Sequence, residues 1–119
     1  FVPGGRILKS EKLNDAMNRI LKFELGFSMH EKYKNSVTNI GVYEHFYENN
    51  YLDNSKFSTH YVVVAYLIPF KILKKTSNEI KNQHSDFIWF NLENSINESK
   101  EVHKYTLSYF NNPYIRNLN

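Results

Sequence analysis

A glycine, a glutamate and an arginine stand at fixed distances near the start of the chain. Gly5 is followed after five residues by Glu11, and after seven more by Arg19. From Glu11 to Leu25 the apolar residues recur every third or fourth position, which predicts an amphipathic helix over Glu11–Leu25. Such a helix explains its own apolar stripe, but it does not explain the spacing of these three residues or a further glycine, Gly26, after the helix.

The residues around this segment predict how the helix begins and ends. Phe1–Arg6 has the pattern of a strand end running into a glycine-rich turn, where adjacent glycines allow unusual backbone conformations. Ser10 is the predicted N-cap, and Gly26 is the predicted C-terminal stop.

The rest of the chain alternates β-rich and polar segments. Three strands are predicted: Val37–Glu48, Thr59–Phe70 and Asp86–Asn91. Asn49–Phe57 is predicted to be a hairpin loop, and Ile72–Ser85 a polar connection. A second helix is predicted over Ser95–Phe110, ended by Asn111-Asn112-Pro113. This order of turn, helix, strands and helix predicts a layered α/β domain.

Composition limits the class of protein. A length of 119 residues with 41% hydrophobic residues predicts one domain, residues 1–119, with a globular core. The net charge is +3 and basic residues are not clustered, so we expect no nucleic-acid partner. Cysteine is absent, which excludes disulfides and is compatible with a cytoplasmic protein. The longest apolar run, Tyr61–Phe70, is too short to span a bilayer, so we expect no membrane association.

The frame from Gly5 to Phe27 resembles the Nudix box, the signature of the Nudix hydrolases. In that box, positions 20, 23 and 24 are carboxylates that share one helix face and form a magnesium site. Here Ile20 and Phe23 are apolar and Glu24 alone remains. Several bound metals are therefore not expected, and the helix lacks its usual residue for activating water.

The altered box resembles that of one Nudix branch, the GDP-mannose mannosyl hydrolases. The similarity continues in blocks up to about Trp89: Phe1–Arg6, Glu24–Gly26, His45–Tyr47, Thr59–Val63 and Gln83-His84. It implies a Nudix fold, in which a mixed β-sheet lies between helices as an α/β/α sandwich. It also implies further strands ahead of Phe1, which leaves residues 1–119 incomplete at the N-terminus and poorly folded or inactive alone. Members of that family are typically homodimers.

The resemblance implies a reaction on a nucleotide-sugar substrate. Water attacks the anomeric carbon of GDP-mannose, and GDP leaves with inversion; GDP-glucose is an alternative substrate. An inverting hydrolysis needs a base for the water, and His84 matches the family's base. The diphosphate leaving group needs its charge neutralised, which one Mg²⁺ ion and arginines can do.

The remaining site residues are also assigned by resemblance. The Mg²⁺ ligands are the Gly4 carbonyl, Glu24 and Gln83. Arg6 and Arg19 match arginines near the diphosphate and the metal ligand, and Arg19 has the alternative role of holding Glu24 structurally. Tyr61 matches a tyrosine that stabilises the leaving GDP, or is an aromatic residue on a half-buried strand. Glu11, His45 and His60 are expected to be structural or supporting residues, whereas His30 and His103 have no assigned task.

Two other functions remain open from the sequence. One is a Nudix pyrophosphohydrolase that cleaves the nucleoside diphosphate sugar at phosphorus, although the apolar residues at positions 20 and 23 argue against it. The other is an inactive module that binds nucleotide sugars. The retention of Glu24, Gln83 and His84 argues against this function.

Overall fold

The computed structural model describes residues 2–33, 35–49, 56–75, 91–92 and 102–118. Their helices and strands, in chain order, are α1 (Leu13–Leu25), β1 (Phe27–Met29), β2 (Thr38–Tyr47), β3 (Thr59–Leu67), β4 (Leu73–Lys75), α2 (Lys104–Phe110) and α3 (Pro113–Arg116). Two 3₁₀ turns, Glu31–Tyr33 and Phe70–Ile72, lie between strands. The mixed α/β class predicted from the sequence is confirmed.

Helix α1 ends where the sequence predicts, but it begins later. Gly26 adopts a left-handed conformation with φ 67°, and its N–H donates to the carbonyls of Leu21 and Lys22. The predicted cap, Ser10, is wrong: its own φ is 65°, and the residue before the helix is Lys12, which makes no side-chain cap. A left-handed turn at Ser10 redirects the chain before the helix can start.

A short two-stranded sheet was not predicted. Strand β1 follows α1 directly and pairs antiparallel with β4, with Phe27 opposite Lys75 and Met29 opposite Leu73. Ile72–Ser85, predicted to be a polar connection, therefore contains a strand at its start. Strands of three residues are too short to show an alternating pattern, so only their pairing identifies them.

Strands β2 and β3 form the predicted hairpin. They pair antiparallel, from Thr38 opposite Leu67 to Tyr47 opposite Thr59. The register shifts between Asn39 and Gly41, where Gly41 has φ 121° and accommodates the irregularity. Both described sheets contain two antiparallel strands, so the mixed sheet of a Nudix fold stays a prediction.

The hairpin separates two groups of buried side chains. Met17 and Leu21 of α1 cluster with Met29, and Tyr66 and Ile68 pack against them. The other cluster joins the hairpin to the C-terminal helices: Ile40, Ala65, Tyr109 and Ile115. Because successive strand residues point to opposite faces, Ala65 and Tyr66 place α2 and α3 on one face of the hairpin and α1 on the other.

The second predicted helix is confirmed only at its end. Helix α2 begins at Lys104, because the His103 side chain caps it by accepting a hydrogen bond from the Tyr105 N–H at 3.3 Å. Residues 95–101 of the predicted helix lie outside the described residues, and residues 102 and 103 are described but are not helical. Most of the predicted strand Asp86–Asn91 also lies outside the described residues. In the part of the chain that is described, no helix is long and apolar enough to cross a membrane.

Candidate functional site

One carboxylate and one guanidinium hold the N-terminal loop against α1. Arg19 Nε donates to Glu11 Oε1 at 2.7 Å, and Arg19 Nη2 donates to Glu11 Oε2 at 2.9 Å. The same Nη2 donates to the Arg6 carbonyl at 2.8 Å, and the Leu8 N–H donates to Glu11 Oε2 at 2.9 Å. The two-pronged geometry of a guanidinium suits this arrangement. We call Glu11, Arg19 and the two backbone groups the box clamp.

The box clamp changes the acidity of Glu11. Hydrogen bonds from Arg19, and then from the Leu8 N–H, lower the pKa of this carboxyl from 4.5 to about 2. The Arg19 side chain is 40% exposed and that of Glu11 14% exposed, so solvent screens part of the interaction. The expected structural role of Glu11 agrees with these contacts.

Acid should therefore open the box clamp. The lowered pKa means that the clamp stabilises the loop above pH 4.5, and that this contribution is lost as pH falls toward about 2. We expect the NMR shifts of the Glu11 carboxyl carbon and the Leu8 amide to titrate together with a midpoint near 2. Glu11→Gln should abolish the titration of the Leu8 amide shift. A midpoint at 4.5 for the Glu11 carboxyl would contradict the box clamp.

Gly5 lets the loop lie directly on the helix. A methyl group added at Gly5 would lie 2.8 Å from Cγ1 and 2.9 Å from Cδ1 of Ile20, which is closer than two non-bonded carbon atoms approach in proteins. At Gly4 nothing lies within 4 Å of the same position. Ile20 and Glu24 are four residues apart and share a face of α1, so the loop lies over the face that carries Glu24.

Glu24 is buried in the structure. It is 5% exposed and belongs to the same buried stripe of α1 as Ala16, Met17 and Leu21. A buried carboxylate must be compensated by hydrogen bonds or a cation, which fits a ligand role but does not require one. Among the described residues, no group of three His, Cys, Asp or Glu side chains could hold a metal. Of the predicted Mg²⁺ ligands, Glu24 is buried on α1 and Gly4 is exposed in the loop before it, and their role as ligands stays a prediction.

The predicted arginines have different surroundings. Arg19 is engaged by Glu11 and the Arg6 carbonyl, so the carboxylate it holds is Glu11 where the sequence suggested Glu24. The Arg6 side chain is exposed, and its backbone is anchored in the box clamp. The roles of Arg6 and Arg19 at a diphosphate stay predictions.

Tyr61 is not brought to the box. It lies on β3 opposite His45, and its ring meets that of Tyr47 edge-on at 5.9 Å. By strand alternation it shares the face of Ala65, toward α2, whereas α1 packs on the face of Tyr66. The half-buried aromatic interpretation of Tyr61 agrees with this placement. The predicted base His84 and the predicted ligand Gln83 lie outside the described residues.

A cluster of aromatic and imidazole rings was missed from the sequence. The His45 ring stacks on Tyr105 at 4.0 Å, and its Nε2 lies 3.1 Å from the Tyr109 hydroxyl. Tyr47 meets Tyr105 edge-on at 5.4 Å, and Tyr43 meets Tyr109 at 4.7 Å. The alternating aromatic residues of β2 signal a ring-lined face, but α2 as the partner is distant in sequence.

Comparison with known proteins gives a partial match. Over 85 residues the chain is 33% identical to the low-salt glycan biosynthesis protein Agl8 of Haloferax volcanii. The match covers 71% of this chain and 49% of Agl8, so the chain spans about half the length of that curated relative. No protein-family model and no solved structure matches the chain.

Proposed function

We propose that this chain is part of a Nudix-type enzyme that hydrolyses GDP-mannose to GDP and mannose. The observation that carries the proposal is the box clamp, in which Glu11 and Arg19 hold a glycine-rich loop over the helix face bearing Glu24. An isolated amphipathic helix has no need of such a loop. The clamp uses the residues that the box frame sets at fixed spacing.

Four described residues of the loop and α1 are assigned parts in this reaction. Glu24 and the Gly4 carbonyl would hold Mg²⁺, which neutralises charge on the diphosphate. The exposed Arg6 guanidinium would bind phosphate oxygens, and Arg19 keeps the loop in position. The base that takes the proton of the attacking water is assigned to His84 by resemblance, because an imidazole can accept a proton near neutral pH.

The relative suggests the setting of the activity. The printed name of Agl8 refers to glycan biosynthesis, and nucleotide sugars are activated sugar donors for building glycans. An enzyme that consumes a nucleotide sugar fits such a setting. Because the chain spans about half of that relative, the activity is proposed for the full-length protein that contains it.

Product analysis tests the proposal. Full-length protein incubated with GDP-mannose and Mg²⁺ is expected to release GDP and free mannose, with inversion at the anomeric carbon seen by NMR. His84→Gln should lower the rate and leave substrate binding intact, because only the base is lost. An unchanged rate in His84→Gln would remove that residue from the mechanism.

The same assay separates the other two functions. GMP and mannose 1-phosphate would show attack at phosphorus, the pyrophosphohydrolase reaction. Binding of GDP-mannose without turnover would indicate an inactive nucleotide-sugar-binding module. Parallel reactions with GDP-glucose would identify the preferred sugar.

A further inference from the structure

The His45 ring lies where the β2–β3 hairpin meets α2. It stacks on the Tyr105 ring with centroids 4.0 Å apart and planes inclined by 13°. Its Nε2 lies 3.1 Å from the Tyr109 hydroxyl. Tyr105 and Tyr109 are four residues apart, so they are neighbours on one face of α2. One imidazole therefore contacts both tyrosines that α2 presents to the hairpin.

Tyr105 in turn forms hydrogen bonds with the backbone of β2. Its hydroxyl accepts a hydrogen bond from the Phe46 N–H at 2.6 Å and donates one to the Phe46 carbonyl. Both backbone groups of Phe46 are thus satisfied by a side chain of α2 instead of a neighbouring strand. Unsatisfied groups on a strand edge attract other strands, so the position of Tyr105 also protects β2.

The surroundings of His45 disfavour a positive charge. Burial, and then the nearby His103, lower its pKa below 6.5, the usual value for histidine. The Lys104 ammonium lies over the Tyr105 ring, 4.9 Å from its centroid, so a positive charge already contacts this ring. The Tyr109 hydroxyl lies 3.1 Å from Nε2 of His45, and Tyr61 lies opposite His45 on β3.

The carboxylate next to His45 on β2 does not compensate a positive charge on the His45 ring. Glu44 lies on the opposite face of the hairpin, where its Oε1 is 2.9 Å from His60 Nε2. His60 stacks on the Phe46 ring at 4.2 Å on that same face. The two histidines therefore lie on opposite faces of the hairpin, His45 on β2 and His60 on β3, and of these two it is His45 that contacts α2.

We propose that His45 is a proton-controlled latch, whose neutral ring holds Tyr105 on the edge of β2 and whose protonation releases α2. A group with a lowered pKa in the docked state binds protons better when undocked. Docking is therefore complete above about pH 6.5 and weakens as pH falls below it. The latch is independent of the hydrolase reaction proposed above.

Amide hydrogen exchange at Phe46 reports on the latch directly, because the Phe46 N–H donates to Tyr105. In the full-length protein, we expect its protection factor to fall several-fold between about pH 7.5 and about pH 5. The His103 ring also holds α2, by accepting from the Tyr105 N–H, so the variants are compared in a His103→Asn background. There, His45→Phe keeps a stacking ring without a titrating group, and its protection should not change with pH. His60→Phe is the matched control on the other face, and it should keep the fall.

Two results would overturn the latch. One is a protection factor at Phe46 that does not change with pH in His103→Asn, and the other is a fall that persists when His45→Phe is added to His103→Asn. Should His45→Phe fail to fold, NMR titration of the His45 ring in the unmodified protein decides the question. The latch requires a midpoint below 6.5 and loss of the contacts between the His45 and Tyr105 rings across the same titration. A midpoint at or above 6.5, or ring contacts that persist through the titration, rejects it.

Discussion

Gly5→Ala is expected to destabilise the protein by about 1–3 kcal/mol, the usual range for forcing an extra carbon into a packed contact. The added methyl would lie 2.8 Å from Ile20 Cγ1. This atom is bonded to Cβ, and a β-branched residue in a helix strongly prefers one χ1 rotamer, so it moves away only at a cost. The loop would be lifted off α1, and the box clamp would lengthen. Urea denaturation of the full-length protein measures the loss as a lower midpoint.

Gly4→Ala is the matched control for this prediction. Nothing lies within 4 Å of the added methyl, and a tolerated Gly→Ala change stabilises by about 0.4–1 kcal/mol through the unfolded chain. We therefore expect no loss at Gly4. The double variant Gly5→Ala with Ile20→Ala should recover part of the stability, because the clash is removed. Equal effects at Gly4 and Gly5 would show that the loop does not rest on Ile20.

Glu24→Gln is expected to lower the proposed hydrolysis of GDP-mannose by about a hundredfold or more. Loss of groups that merely orient a metal ligand already costs about 10- to 100-fold in affinity or activity, and Glu24 is proposed to be the ligand itself. The amide keeps the shape of this buried side chain, which is 5% exposed, so packing is preserved while the charge is lost. The Mg²⁺ concentration for half-maximal rate should rise together with the loss of rate.

Asp15→Asn provides the control for Glu24→Gln. Asp15 is an exposed carboxylate in the first turn of the same helix, so its change removes one negative charge from α1 without touching the proposed site. We expect a wild-type rate and an unchanged Mg²⁺ dependence. Calorimetric titration with Mg²⁺ gives a second readout that does not depend on turnover. Normal Mg²⁺ binding and rate in a folded Glu24→Gln protein would exclude Glu24 as a ligand.

The spacing of the box residues predicted part of the candidate site. The positions of Gly5, Glu11 and Arg19 indicate a related set of residues, and all three lie together in the structure. Spacing did not predict which of these residues bond to each other. The sequence suggested that Arg19 holds Glu24, but in the structure Arg19 holds Glu11, which lies before the start of α1. Pairing between a loop and a helix depends on the path of the loop, and the left-handed turn at Ser10 sets that path.

Short-range patterns alone determined α1, its stop at Gly26 and the β2–β3 hairpin, because helical and alternating periodicities are written in neighbouring residues. Contacts between segments distant in sequence decided the rest. Only the tertiary structure pairs β1 with β4, places Tyr61 on the face away from α1, and sets His45 against α2. These are contacts that form when the chain folds back on itself, and no local preference specifies which residues will meet.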